Sequence, residues 1–463
     1  MAVRTGDLTA GGITSTLLRF TLPMMLGSLM QQCYNIVDTL IVGRCIGSDA
    51  LAAVGSAYSL MTFLVSVLLG LSMGSGTVFS MQFGAGNMPG LRRSIYVSFV
   101  LTGCAAVILT AVSYFLTGTV TGWLNVPEGV EGMLRVYLLI VFGGIPFTFL
   151  YNFNAAVLRA VGDSVTPLWF LGLSVGLNIA LDLLFVVGFG TGIAGAAIAT
   201  VISQAMAAFG LMAFVLYRRP ELRVRRRDMR MDRTSIKEIA SFSTLTCVQQ
   251  SVMNLGILMV QGIVNTFGTA VMAAFAAAVK IDTFAYMPVQ EFGNAFSTFV
   301  AQNFGAGKSG RIRRGVRSAF VTSIIFSMAV SALVFVFARP LMLIFVRPEE
   351  TEIIRIGVQY LRVEGSFYFG IGILFLLYGY YRAVRKPAVS VLLTVLSLGT
   401  RVVLAYVLSA IPSVGAAGIW WSIPIGWAIA DAVGIIGLLY GRKRLLILHR
   451  GSGNARVFRA GAG

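Results

Sequence analysis

The chain has 463 residues, 57% of them hydrophobic and only 12% charged, about half the charged share of a soluble globular protein. That composition excludes a disordered chain, which is defined by low hydrophobicity, and leaves apolar runs too long for a water-soluble surface; the chain reads as an integral membrane protein. Its 36 Lys+Arg against 18 Asp+Glu give a net charge of +18, but the basic residues lie between apolar segments rather than along one soluble face. They read as the positive-inside bias of a membrane protein and not as a nucleic-acid surface.

The opening stretch MAVRTGDLTAGG is polar and runs into a long apolar span, not into a short h-region with a cleavage site, so no signal peptide is expected. A helix that crosses the hydrocarbon needs about 20 mainly apolar residues. Runs of that kind lie near 16–43, 50–83, 94–118, 131–157, 165–189 and 193–217, then near 237–266, 270–304, 316–338, 353–381, 388–410 and 416–440. The second and eighth exceed what a bilayer needs and predict tilt or extension beyond it.

Between the two sets stands RRPELRVRRRDMRMDR, strongly basic and without an apolar run. The expected organisation is an N-lobe over 1–217, a cytoplasmic linker over 218–235, a C-lobe over 236–440 and a basic cytoplasmic tail over 441–463. Placing both termini and the linker inside puts about 28 of the 36 basic residues in cytoplasmic segments, which the positive-inside rule favours.

The halves repeat. Phe83-Gly84-Ala85-Gly86 matches Phe304-Gly305-Ala306-Gly307, Arg92-Arg93 matches Arg313-Arg314, and Gln31-Gln32 aligns with Gln249-Gln250. Arg159-Ala160-Val161 matches Arg382-Ala383-Val384, and Gly195 matches Gly418. Each half has an even number of spans, so both enter from the same side. The predicted fold is an all-α integral membrane protein with twelve transmembrane helices in two six-helix lobes, related by a parallel pseudo-two-fold repeat, with a substrate path between the lobes.

Several enzyme-like patterns carry no chemistry here. Gly70-Leu71-Ser72-Met73-Gly74 and Gly172-Leu173-Ser174-Val175-Gly176 fit G-x-S-x-G, but they lie in apolar helical runs and the only histidine is His449, in the tail. They predict helix-packing faces. Gly190–Gly195 fits G-x-G-x-x-G without a preceding strand and reads as a tight outer loop. Cys33, Cys45, Cys104 and Cys247 show neither CxxC pairing nor metal-ligand spacing, and no P-loop or zinc pattern occurs. Neither an enzyme nor a cofactor is expected.

Acids inside apolar spans are the informative residues, because a charge at the bilayer centre costs about 2.5–3.5 kcal/mol even on insertion scales. They are Asp38, Asp182, Glu291, Glu364 and Asp431, with Asp282 nearer a span end. Tyr34 and Asp38 share a helix face at i, i+4, and so do Asn178 and Asp182. Burial disfavours the charged carboxylate and brings proton exchange within reach of physiological pH. Two carboxylates with amide and carbonyl oxygens could instead ligate a monovalent cation, or each acid could merely bridge neighbouring helices. For the remaining acids, packing is the simpler reading, with Lys280 placed to neutralise Asp282 or Glu291 and with Arg362 beside Glu364.

With these residues in view, the chain resembles the multidrug and toxic compound extrusion (MATE) family of cation-coupled antiporters. The matching stretches are Leu22-Pro23, Gln32-Cys33-Tyr34-Asn35-Ile36-Val37-Asp38-Thr39 and Phe83–Asn87. Further on come Arg159-Ala160-Val161-Gly162-Asp163, Asn178-x-x-x-Asp182, Gly195–Thr200 and Gln302–Gly307. The resemblance spans residues 15–440. It implies a V of two lobes and alternating access, and it implies a cation-coupling site at Asp38, Asn178, Asp182 and Thr200. Tyr34, Asn154, Lys280 and Glu291 would line the cavity. The coupling ion would be a proton, or sodium held by Asp38, Asn178 and Asp182. One branch of the family carries a Glu in the seventh span and an Asp in the tenth; here the seventh has no acid and the tenth has only Glu364, so a C-lobe sodium site of that type is not expected.

The expected function is therefore export of organic cations or amphipathic drugs across the cytoplasmic membrane by a monomer embedded in the bilayer. A lipid-linked precursor flippase is the alternative within transport. It would need several basic cavity residues for pyrophosphate, and only Lys280 and Arg401 are candidates.

Overall fold

The computed structural model describes residues 6–123 and 128–455; residues 124–127 and the two ends of the chain, including the last part of the expected tail, lie outside the described residues. The N-half comprises α1 (Ile13–Cys45), α2 (Ser48–Gly84), α3 (Met88–Phe115), a short α4 (Thr117–Trp123), α5 (Glu128–Phe142), α6 (Ile145–Ala160), α7 (Val165–Asp182) and α8 (Gly192–Arg218). The C-half comprises α9 (Arg233–Asn265), α10 (Thr269–Gly305), α11 (Ser309–Met342), α12 (Thr351–Gly365), α13 (Tyr368–Ala383), α14 (Pro387–Ser409) and α15 (Ala417–Ala455).

Among the described residues ten segments are long and apolar enough to cross a bilayer as single helices. Two further spans are bent pairs, α5 with α6 at 42° and α12 with α13 at 50°, which completes twelve. These are the fourth and tenth spans, which hydropathy reads as continuous. At the first bend Gly143-Gly144 interrupts the helix and Pro146 follows in the first turn of α6, where its missing N–H is harmless.

The repeat holds at the level of backbone conformation. The ranges of α5 and α12, and those of α6 and α13, are displaced by the same 223 positions. Gly86 and Gly307 close α2 and α10 with the same left-handed φ of 69°. At the end of α6 the turn residue is Gly162, at φ 86°, packed against the backbone of Gly6. Its counterpart after α13 is Arg385, at φ 63°, the one described non-glycine residue in that region. Its side chain makes a 2.8 Å ion pair with Glu238.

Large apolar side chains are exposed along the outer helices, among them Val107, Ile108 and Phe115 on α3, with Trp169 on α7 and Tyr217 on α8. Such a surface is stable only against lipid.

The lobes meet on the side that carries the linker. Gly74 on α2 lies against the backbone of Phe242 and Ser243 on α9, so close that a Cβ would collide with it. Next to it Ser75 and Ser243 are hydrogen-bonded at 2.8 Å. The first G-x-S-x-G pattern is thus a helix-packing face between the lobes, as expected. Gly84 on α2 and Gly305 on α10 likewise abut the opposite lobe's backbone. The N-terminal segment straps this seam, with Leu8 N–H donating to Gln302 Oε1 (3.0 Å) and Arg311 donating to carbonyls of Leu8, Ala10 and Gly11. Gln302 in turn donates to Ala160 O at 2.8 Å. Toward the opposite face, the last hydrogen bond between the lobes among the described residues runs from Gln32 to the Met287 sulfur.

Candidate functional site

Three N-lobe helices bring together most of the residues singled out in the sequence. α1 presents Tyr34 and Asp38 one turn apart, α7 presents Asn178 and Asp182 one turn apart, and α8 presents Thr200. Directly after Asp182 the helix widens into a π-helical turn, Leu183–Gly188, a local distortion frequent at functional sites. Asp182 is fully buried, and Asn178 and Thr200 nearly so.

The hydrogen bonding is one-sided. Thr200 Oγ1 sits 3.3 Å from the Tyr34 hydroxyl and receives Asn178 Nδ2 at 3.4 Å. The carboxyl groups of Asp38 and Asp182 face each other as a side-chain pair, with Tyr137 of α5 close to both. Yet Asp38 Oδ1, both oxygens of Asp182 and Asn178 Oδ1 are buried without a donor. Four acceptor oxygens without a donor are costly in a low-dielectric interior. A proton shared between the carboxyls lowers that cost by turning one acceptor into a donor. A small cation with oxygen ligands would do the same. Among the described residues no group of three or more His, Cys, Asp or Glu side chains gathers to hold a metal.

Other expected site residues fall elsewhere. Asn154 on α6 is buried, but its Nδ2 donates to Leu150 O of its own helix at 2.8 Å and to no member of the cluster. Lys280 is exposed, its Nζ 5.8 Å from the centroid of the Phe345 ring, and it forms no ion pair among the described residues. The expected neutralisation of Asp282 or Glu291 by Lys280 is therefore wrong. Two positions along a helix turn side chains to opposite faces, and eleven positions separate them by about 16 Å. Arg362 likewise packs over the Phe335 ring rather than beside Glu364.

Glu291 lies at mid-depth between the lobes, beside Ser28 of α1, Asn294 of its own helix and Arg159 of α6. Asp282 belongs to a C-lobe centre that the sequence reading missed. It accepts hydrogen bonds from Tyr360 (2.7 Å) and from Tyr368, lies beside Glu364, and has Arg401 as its counter-charge. Asp282 and Glu364 are both buried. The signal that could have found Tyr137 and this centre is the repeat itself, since its offset of 223 carries Tyr137 onto Tyr360 and Asn178 onto Arg401.

Comparison with known proteins adds the family context. The family model described as MatE matches residues 23–184 and again 246–407. A probable multidrug resistance protein of Bacillus subtilis, YpnP, is 30% identical over 445 residues, 96% of this chain and 98% of the relative. A second from that organism, YoeA, is 28% identical and covers 91% of each chain. Among solved structures, a MOP superfamily transporter from Pyrococcus furiosus superposes with a TM-score of 0.90 at 22% identity, covering 97% of this chain and 99% of that one.

Proposed function

Because the chain belongs to the MatE family, whose members are transporters and not enzymes, we propose that it is a secondary active antiporter. It exports organic cations or amphipathic drugs across the cytoplasmic membrane in exchange for protons or sodium, by alternating access between the two lobes. The names of its relatives as multidrug resistance proteins support the substrate class. The observation that carries the coupling is the set of donorless oxygens at Asp38, Asn178 and Asp182, a site that is electrostatically complete only when it holds a proton or a small cation. A proton is the simpler occupant, since two facing carboxylates that share one proton lower their mutual repulsion and cross the apolar midplane with less charge.

The domain boundaries follow the reading above, with lobes over 1–217 and 236–440 around the basic linker. With the linker and both termini cytoplasmic, the seam closed by the Gly74, Gly84 and Gly305 contacts lies on the inner face and the lobes diverge outward. Bound drug would leave to the outside in this arrangement while the coupling ion enters from there, and its binding at the N-lobe acids would bias the return to the inward-open form.

Dye efflux from proteoliposomes under separately imposed gradients tests this. Transport with a proton gradient and no sodium is the expected result. Transport that needs a sodium gradient, unmoved by collapsing the pH difference, assigns the same site to sodium. Failure of both gradients overturns the proposal.

A further inference from the structure

The segment that joins the lobes, residues 218–233, carries eight arginines against three acids. Those acids are turned mostly away from the arginines around them. Asp228 pairs with Arg92 of α3 at 2.8 Å and Asp232 with Arg93 of α3 at 3.3 Å. Glu221 reaches only Arg219, at 3.8 Å, and Arg219 is itself held by Asp163 at 2.7 Å. Arg218, Arg223, Arg225, Arg226, Arg230 and Arg233 are exposed and form no ion pair among the described residues. Arg227 is exposed too, and the acid nearest to it, Asp228, is the one that Arg92 already neutralises. Like charges gathered in this way repel one another, and anions at the surface relieve that repulsion.

The same contacts fix where these arginines stand. Arg92 also donates to Glu221 O at 3.3 Å, Leu222 is buried, and the Arg225 backbone N–H closes the turn Arg226–Asp228 on Asp228 Oδ2 at 3.1 Å. The linker is thus clipped to the start of α3 instead of projecting away from the lobes. It leaves α8 at Arg218 and enters α9 at Arg233, so both of its ends are ends of membrane spans. Leu216 and Tyr217 are exposed just before it, and an exposed tyrosine followed by arginine marks the level of the headgroups. Met229 and Met231 are exposed on either side of Arg230. Guanidinium groups and apolar side chains held together at that level suit the phosphates of a leaflet and the acyl chains just beneath them.

We propose that the linker is a docking surface for anionic phospholipids, whose headgroup phosphates the unpaired arginines hold while Met229 and Met231 rest among the acyl chains. Arginine can meet a phosphate through two parallel hydrogen bonds, and each acid of the linker already has an arginine partner. With the linker cytoplasmic, as proposed above, the leaflet it meets is the one with a negative surface potential. Lipid bound there acts on the connection between the lobes and stabilises the folded chain by mass action. The proposal is independent of the cargo and of the coupling ion.

The test uses the full chain in detergent micelles, titrated with phosphatidylglycerol or with phosphatidylcholine of the same acyl chains. The lipid concentration that gives half the rise in melting temperature is read for each. The parent should respond to phosphatidylglycerol at a concentration about tenfold lower, and this preference should fade as salt is raised to about 1 M. The triple variant Arg223→Gln, Arg226→Gln, Arg230→Gln should need at least about tenfold more phosphatidylglycerol, since each arginine near an anionic surface is worth about fivefold. Its response to phosphatidylcholine should stay as in the parent. Lysine at the same three positions keeps the charge and should keep the preference. Should the Gln variant fail to fold, the salt dependence of the parent decides. A parent with equal responses to the two lipids, a preference that salt does not move, or a Gln variant that retains it overturns the proposal. So does inorganic phosphate that replaces the lipid at equal concentration, because the site would then take a free anion. Each of these outcomes leaves the exporter reading in place.

Discussion

The N-lobe and the C-lobe each bury a pair of acids, and the repeat sets the two centres at corresponding places, with Tyr137 opposite Tyr360 and Asn178 opposite Arg401. Their partners differ. In the C-lobe Asp282 takes hydrogen bonds from two tyrosines, and the positive charge of Arg401 acts on it and on Glu364 without a direct ion pair among the described residues, one Glu364 oxygen being left without a donor. In the N-lobe the corresponding position holds an asparagine whose own carbonyl oxygen lacks a donor, and Asp182 has none for either oxygen. A buried acid that already has donors and a counter-charge has no need to bind anything, whereas one without them must take up a proton or an ion from outside. The difference teaches that acids within a span do not identify a coupling site by themselves; what surrounds them decides.

The largest expected effect tests that distinction directly. Asp38→Asn and Asp182→Asn should each abolish gradient-driven dye efflux from proteoliposomes while the protein still inserts, because an amide can neither release a proton nor balance a cation. Glu364→Gln should leave efflux within about threefold of the parent, since the charge it removes is one that Arg401 already offsets. A Glu364→Gln protein as inactive as Asp182→Asn would break the comparison.

The next effect is on stability and runs the other way. Arg401→Ala removes the positive charge that acts on Asp282 and Glu364 and should cost about 1–3 kcal/mol, since it leaves buried acids without that compensation. Asn178→Ala deletes one long hydrogen bond, at 3.4 Å to Thr200, and relieves a donorless oxygen, so it should cost no more than about 1 kcal/mol. Thermal unfolding in detergent distinguishes the two. Equal losses would mean that the N-lobe cluster is as structural as its counterpart.

Much of this was legible in the sequence. A bilayer demands an apolar run of set length, so twelve spans and most of their ends could be read to within a few residues, though α3 and α11 begin six and seven residues earlier than their apolar runs and α15 continues to Ala455. Asp38 and Asp182 stood out because an acid in such a run is rare, and the i, i+4 spacing placed Tyr34 and Asn178 beside them. Pairings across helices were not legible. Tyr360 and Tyr368 do not interrupt an apolar run, and nothing local to Arg401 says that it faces α10 and α12. Lys280 was assigned to its neighbours in sequence, but a helix turns i and i+2 away from each other. The bends at α5–α6 and α12–α13 were also hidden, since hydropathy records composition and not direction.

The smallest effect lies on the linker face, where the repeat again has unlike partners. In the N-lobe Arg92 pairs with Asp228 at 2.8 Å, both nearly buried, and Arg93 with Asp232 at 3.3 Å, both partly exposed. Their counterparts Arg313 and Arg314 are exposed and form no ion pair among the described residues. Burial by itself would push the Asp228 carboxyl up, but the Arg225 backbone N–H and the Arg92 guanidinium outweigh it and hold the carboxyl below its ordinary value. A carboxyl held low in the folded chain contributes stability in full above its unfolded value, about 4, and loses it as pH falls through the lower folded value. Asp228→Asn should therefore lower the melting temperature by about 2 °C at neutral pH, with the gap to the parent closing as the pH drops below about 4. Arg313→Ala should leave the melting temperature unchanged at either pH. A gap for Asp228→Asn that persists at low pH would show that the linker is held by packing rather than by this ion pair, and the two halves would then be alike at this face.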